Sequence, residues 1–252
     1  MTPILELRGV WRSFGGLTAV KNVDFTVPPG EIVGLIGPNG AGKTTLFNLI
    51  TGTYLPNRGS VWFDGQEVTR LPPDARCRRG IARTFQIVRP FPNLTVLQNV
   101  AVGSSYGHVR APSRLAAERQ ALEVLETLQL ADRQHVLARH LTLVDRKRLE
   151  LARALAGQPK LLLLDEWLAG LNPSEVVSAL DLVRRIRASG VTVVMVEHLV
   201  KAVLGVSDRV VVLSAGEKIS EGTSEQVAHD PRVVDAYLGA AHTEATQPIS
   251  LA

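Results

Sequence analysis

Apolar runs along this chain alternate with polar, glycine-bearing breaks, and the lengths of both predict an order of strands and helices. Residues 4–10 and 20–27 have the alternating or mixed character of strands, separated by Arg12-Ser13-Phe14-Gly15-Gly16. The apolar segment 31–36, bounded by Gly30 and Gly37, predicts a short buried strand, and 45–50 carries apolar residues at helical spacing. Asn57-Arg58-Gly59-Ser60 turns into Val61-Trp62-Phe63, after which Asp64-Gly65 signals a hairpin. This N-terminal part reads as an antiparallel layer wrapped around the loop at 37–45.

The pattern then changes. Residues 72–89 are polar and rich in arginine, and Asn93-Leu94-Thr95-Val96 leads into helical periodicity. Leu115, Leu122, Leu125 and Leu128 predict an amphipathic helix over 114–130, and a second is predicted over 143–156. Four consecutive leucines at 161–164 predict a strand buried on both faces. A helix over 173–188 follows, with Asn172 as N-cap and Pro173 at its first position, then a buried strand over 191–196. Strands at 209–214 and 218–221 form a hairpin, and a closing helix spans 224–238. The expected organisation is one α/β domain over 1–241, with its core in 1–86 and 156–241 and a helical insertion at about 87–155. A flexible tail over 242–252 completes it.

Composition narrows the classes. The chain has 252 residues, ample for a core, and a formal net charge of +4, compatible with an anionic surface nearby but not evidence of one. No apolar run approaches the roughly 20 residues that a membrane helix requires. There is no basic-then-apolar N-terminal signal, and the single Cys77 excludes an internal disulfide, so a cytosolic setting is expected.

The chemistry concentrates in two places. Gly37-Pro38-Asn39-Gly40-Ala41-Gly42-Lys43-Thr44-Thr45 has the spacing of a phosphate-binding loop, in the strand–loop–helix context that motif requires. Its glycines let backbone N–H groups converge on an oxyanion, and the following helix aims its positive end at the same point. Lys43 is placed to reach the β- and γ-phosphates of a nucleoside triphosphate, and Thr44 to ligate Mg²⁺. The second place is the end of the leucine strand, where ligands bind in open α/β sheets. There Asp165 could hold Mg²⁺, directly or through water, and Glu166 could orient or deprotonate an attacking water. His198, ending the 191–196 strand, is a candidate for sensing the γ-phosphate.

Taken in order, the phosphate loop, Gln86, Leu141-Thr142-Leu143-Val144-Asp145, the 161–166 segment and His198 resemble an ATP-binding cassette (ABC) ATPase over about residues 4–240. The resemblance implies an α/β fold, a P-loop NTPase of ABC type: a mostly parallel sheet core, an N-terminal antiparallel β layer and a helical insertion. It implies that Phe14 stacks on adenine and that Asn39, Gly40, Ala41, Gly42, Lys43, Thr44 and Thr45 hold the phosphates. Thr44, Gln86 and Asp165 would lie at Mg²⁺. Glu166 would be the catalytic carboxylate, His198 the switch histidine, and Asn172 would lie where a partner subunit is met.

The family's signature, normally Leu-Ser-Gly-Gly-Gln, is altered here. Thr142 keeps a hydroxyl for the opposite subunit's ATP. Val144 puts a β-branched side chain where backbone should approach phosphate, and Asp145 adds negative charge near a polyanion, although it could accept a bond from ribose. Trp167 stands where proline commonly follows the glutamate. In the dimer this implies, the two composite sites are expected to be unequal. Arg12-Ser13-Phe14-Gly15-Gly16-Leu17-Thr18-Ala19-Val20, Ala82-Arg83-Thr84-Phe85-Gln86, Ala169-Gly170-Leu171-Asn172-Pro173 and Ala236-Tyr237-Leu238-Gly239 further resemble ATP-binding subunits of branched-chain amino acid importers, with urea and amide importers as close relatives. The implied partners are a second ATPase subunit, two permease subunits and, indirectly, a periplasmic binding protein, at the cytoplasmic face of the inner membrane. One phosphate loop, one cysteine and the lack of a long heptad run argue against an ABC protein acting on nucleic acid.

Overall fold

The computed structural model describes residues 2–86 and 88–241; the tail expected to be flexible lies outside them. The chain opens with β1 (Leu5–Phe14) and β2 (Leu17–Val27), an antiparallel pair. Both strands run further than their alternation predicts. The Gly15-Gly16 turn is tight enough to bring Phe14 opposite Leu17, and irregular register around Val10–Ser13 carries Arg12 and Ser13 within the ladder. After β3 (Ile32–Ile36) come the glycine loop and α1 (Lys43–Thr51). The hairpin of β4 (Arg58–Phe63) and β5 (Gln66–Glu67) turns at Asp64-Gly65, both with positive φ, and completes a sheet ordered β2-β1-β4-β5.

The arginine-rich stretch is not simply polar. It forms α2 (Pro73–Arg79) and β6 (Ile81–Arg83), and Arg76 is fully buried. Its guanidinium donates to the carbonyls of Leu49 (2.6 Å) and Ile50 (2.8 Å) at the end of α1, and to those of Thr69 and Leu71. A helix C-terminus leaves such carbonyls without intrahelical partners.

Three helices follow: α3 (Val96–Tyr106), α4 (Arg114–Thr127) and α5 (Leu143–Leu155). Thr95 and Ser113 cap the first two. The α4 periodicity picks the wrong stripe in part, for Leu115 is 70% exposed while Ala117, Ala121 and Leu125 are buried. Small residues at i, i+4 spacing let α4 lie close against its neighbours, and that close packing outweighs covering one leucine.

The chain returns through β7 (Leu161–Asp165), α6 (Pro173–Ala188), β8 (Thr192–Val196), α7 (Val200–Val206), β9 (Arg209–Ser214) and β10 (Glu217–Gly222). The larger sheet is ordered β10-β9-β3-β8-β7-β6, with every neighbouring pair parallel except β10 on β9. The expected closing helix is two pieces, α8 (Ser224–Ala228) and α9 (Pro231–Ala241). Pro231 lacks the N–H needed to continue α8 and starts a new helix instead. One face of the large sheet packs on α1 and the antiparallel layer; the other shares its core with α3–α7.

Candidate active site

β3 and β7 are separated in the sheet by β8 alone, so the phosphate loop and the carboxylates after β7 meet at one sheet end. At Gly37 (φ 151°) a Cβ would stand 2.1 Å from the Leu213 carbonyl oxygen, and at Gly42 (φ 102°) 2.3 Å from that of Ala19. No other residue fits either place. The cradle thus has the open backbone a polyphosphate requires. Lys43 is buried, and its Nζ donates to the carbonyls of Gly37 (2.6 Å) and Pro38 (2.9 Å). Burial lowers its pKa, opposed by the nearby charges of Glu166 and Asp165. Asn39, Gly40 and Thr44 lie on the exposed side of the loop, with Ala41 buried beneath and Thr45 half-buried. The Ala41 carbonyl accepts from Gly216 N–H at 3.1 Å, tying the loop to the β9–β10 turn.

Phe14 is 38% exposed, its ring edge-on to Tyr54 with centroids 5.1 Å apart. The Arg12 guanidinium lies 4.5 Å from the Phe14 centroid. Phe14 is therefore a partly packed platform at the tip of β1.

Three predicted residues converge. Glu166 follows β7 with φ 48° and its N–H donates to the Val196 carbonyl at 2.8 Å. One carboxylate oxygen accepts from the Gln86 amide, and the other lies 2.8 Å from His198 Nε2. Asp165 is buried beside them, and its Oδ2 accepts from Arg83 at 2.6 Å. Arg83 also donates to Asn48 Oδ1 on α1 at 2.6 Å. The motif reading missed Arg83, although it stands three residues before Gln86 within Ala82-Arg83-Thr84-Phe85-Gln86. A second omission is Glu197, whose carboxylate accepts Leu168 N–H at 2.7 Å and whose pKa burial pushes up to about 7.

The donors expected for a divalent cation are a hydroxyl, an amide and a carboxylate. These hard oxygen donors suit Mg²⁺, which keeps waters and relies on substrate phosphates. Among the described residues no cluster of three His, Cys, Asp or Glu side chains is placed to hold a metal ion.

The variant signature differs from its expectation. Thr142 caps α5, its Oγ accepting from Asp145 N–H at 3.2 Å and donating to Asp145 Oδ2 at 2.8 Å. That same oxygen accepts from Arg133 at 2.6 Å. Asp145 is buried and paired, so it does not present the bare negative charge expected of it; the pairing compensates the cost of burying the carboxylate. Leu143 is exposed at the helix start, and Val144 is half-buried behind it. Asn172 caps α6 as expected, in a reciprocal box with Glu175.

A family profile described as ABC transporter matches residues 20–169. A second, described as branched-chain amino acid ATP-binding cassette transporter, matches residues 217–243. The high-affinity branched-chain amino acid transport ATP-binding protein LivG of Escherichia coli strain K12 is 41% identical over 252 residues, covering 95% of this chain and 99% of LivG. The crystal structure of the ADP conformation of MJ1267, an ATP-binding cassette of an ABC transporter, superposes with a TM-score of 0.85 at 31% identity, covering 95% of this chain and 100% of that one. MJ0796, solved as a post-hydrolysis dimer bound to ADP and Pi, gives a TM-score of 0.78 at 28% identity over 87% of this chain.

Proposed function

The chain belongs to the ABC transporter family and is an ATPase that powers transport, and from that premise we propose that it drives an importer of branched-chain or other hydrophobic amino acids. It acts as a dimer with a second ABC ATPase subunit beneath two permease subunits, at the cytoplasmic face of the membrane. No helix among the described residues is long and apolar enough to cross a membrane, in keeping with a peripheral subunit. The match of residues 217–243 to the branched-chain profile supports the substrate class.

The reading of the chemistry rests on the meeting of Gln86 and His198 at Glu166. The phosphates of ATP lie in the 37–45 cradle, where Lys43 turns from its carbonyl partners toward them. Glu166, fixed through its backbone to β8 and through its side chain to Gln86 and His198, holds the attacking water in line. Thr44, Gln86 and Asp165 would hold Mg²⁺, which would neutralise charge developing on the phosphoryl oxygens. Thr142 and its neighbours cap the partner subunit's ATP. Because ATP binds the closed dimer more tightly than the open one, it shifts the permeases between access states.

Purified membrane complex carrying Glu166→Gln tests this reading. Turnover should fall by about a hundredfold or more while ATP still binds, and leucine uptake into proteoliposomes should stop. Wild-type complex that carries urea in preference to leucine would move the substrate assignment to the amide importers.

A further inference from the structure

Lys147 lies on α5, two residues beyond the signature, and is 4% exposed. Its Nζ donates to the Trp167 carbonyl at 2.8 Å, and the Trp167 indole N–H donates to the Lys147 carbonyl at 3.1 Å. Both side chains are buried, so two elements 20 residues apart are clasped by a reciprocal pair of bonds. Trp167 directly follows Glu166. The turn over 166–168 is held from β8 as well, through Glu166 N–H to Val196 and Leu168 N–H to Glu197. Lys147 fixes the same turn from α5.

A buried ammonium is a costly way to fill space. A methionine of similar length would pack there without the cost of desolvating an ammonium, and a buried charge network replaced as a whole by apolar bulk is often neutral or stabilising. The charge must therefore do something packing alone does not. Three carboxylates act on it, those of Glu197, Glu150 and Glu166. Its strongest geometric partner is nevertheless a backbone oxygen, one peptide beyond Glu166. The Glu166 backbone sits at φ 48°, a conformation that non-glycine residues rarely hold without support.

We propose that Lys147 is a positioning residue for Glu166: it locks the turn that carries the carboxylate and makes its alignment depend on where α5 stands. This rests on the reading of Glu166 as the group that aligns water. It adds that one rigid helix touches both composite sites of a dimer. The N-terminus of α5 presents Thr142 to the partner's nucleotide, while Lys147, on the same helix, holds the turn that serves this chain's own nucleotide. A shift of α5 when the partner's ATP is engaged reaches Glu166 without passing through the sheet.

The test uses the full chain in its native membrane complex, with ATP turnover, ATP affinity and melting temperature measured on each variant. Lys147→Met, which keeps the bulk and loses the donor, should lower kcat about tenfold or more with KM for ATP and nucleotide affinity unchanged within about twofold. The loss of kcat should not track melting temperature, because Lys147→Gln, equally uncharged, restores turnover. Lys147→Gln, which restores a donor, should recover kcat to within about threefold of wild type. Trp167→Phe removes the indole bond together with some ring volume, leaves the Lys147 bond to the backbone carbonyl in place and should lower kcat at constant KM, which keeps the inference testable if Lys147→Met fails to assemble. Unchanged kcat in Lys147→Met overturns the inference. So does a loss in which kcat and melting temperature fall together and Gln does no better than Met, because that is packing. A Glu166→Gln arm separates the two readings. If that variant still hydrolyses ATP, the role of Glu166 fails; if it does not, while Lys147→Met is fully active, only the role of Lys147 falls.

Discussion

The Arg133 guanidinium lies 2.6 Å from the Asp145 carboxylate, bringing a positive charge from the turn before the signature onto the acid within it. The pair converts what reads as a repulsive substitution into an internally compensated cap on α5. Val144 remains as the departure that would crowd a partner's phosphates. On the proposed dimer, any inequality of the two composite sites should therefore follow Val144 more than Asp145. Val144→Gly is expected to raise ATP-dependent dimer closure, and Asp145→Gln alone to change it little.

Arg133→Ala exposes the difference directly. Arg133 is half-exposed, so the pair itself is worth only about 1 kcal/mol. Its loss leaves Asp145 uncompensated near the nucleotide, and ATP-induced dimerisation should weaken about five- to tenfold. Asp145→Asn in the same chain should recover most of that. Sedimentation of the isolated subunits with ATP would measure both steps.

Arg83 and Asp165 form a pair buried on both sides, at 2.6 Å. Arg83→Leu should cost about 3–5 kcal/mol in urea unfolding, because it leaves an ionised carboxylate without its partner in the interior. Asp165→Asn added to it should return part of that stability. The double mutant separates the cost of the orphaned charge from any loss of Mg²⁺-dependent turnover.

Stability should depend on pH through Glu150. Burial pushes its carboxyl up to about 7 from an ordinary 4.5, with the Phe85 N–H donating to one oxygen at 3.0 Å. Between those values the folded chain keeps a proton that the unfolded chain has released. The stabilising contribution is thus complete below 4.5 and is lost as pH rises through 7. Each such group gives a slope of at most about 1.4 kcal/mol per pH unit. Glu197, also pushed up to about 7, acts in the same window. Glu150→Gln should roughly halve their joint decline in stability between pH 5 and 7, as read by thermal melts across that range.

Tyr237, on α9, has its phenol close to the Gly37 backbone, and burial pushes that phenol up to about 12. The Gly37 carbonyl accepts from Lys43, so the closing helix meets the phosphate loop at the residue that holds this lysine. Tyr237→Phe should weaken ATP binding modestly, by at most about fivefold, with little change in melting temperature. Isothermal titration with ADP and ATP would show it.

The sequence by itself determined the parts whose chemistry lies within a few consecutive residues. The 37–45 loop, the carboxylates after Leu161-Leu162-Leu163-Leu164 and the Asn172 cap were legible because covalent spacing alone brings their groups together. Strands buried on both faces announced themselves as unbroken apolar runs. Tertiary structure decided the rest. Arg83 meets Asp165 and Gln86 meets Glu166 only because β6 lies beside β7, and His198 meets Glu166 because β8 flanks β7 on its other side. Nothing in local periodicity encodes that order of strands. The exposure of Leu115, the burial of Arg76 and the neutralising of Asp145 have the same origin, since each depends on which distant surface or partner the packed chain brings up to it.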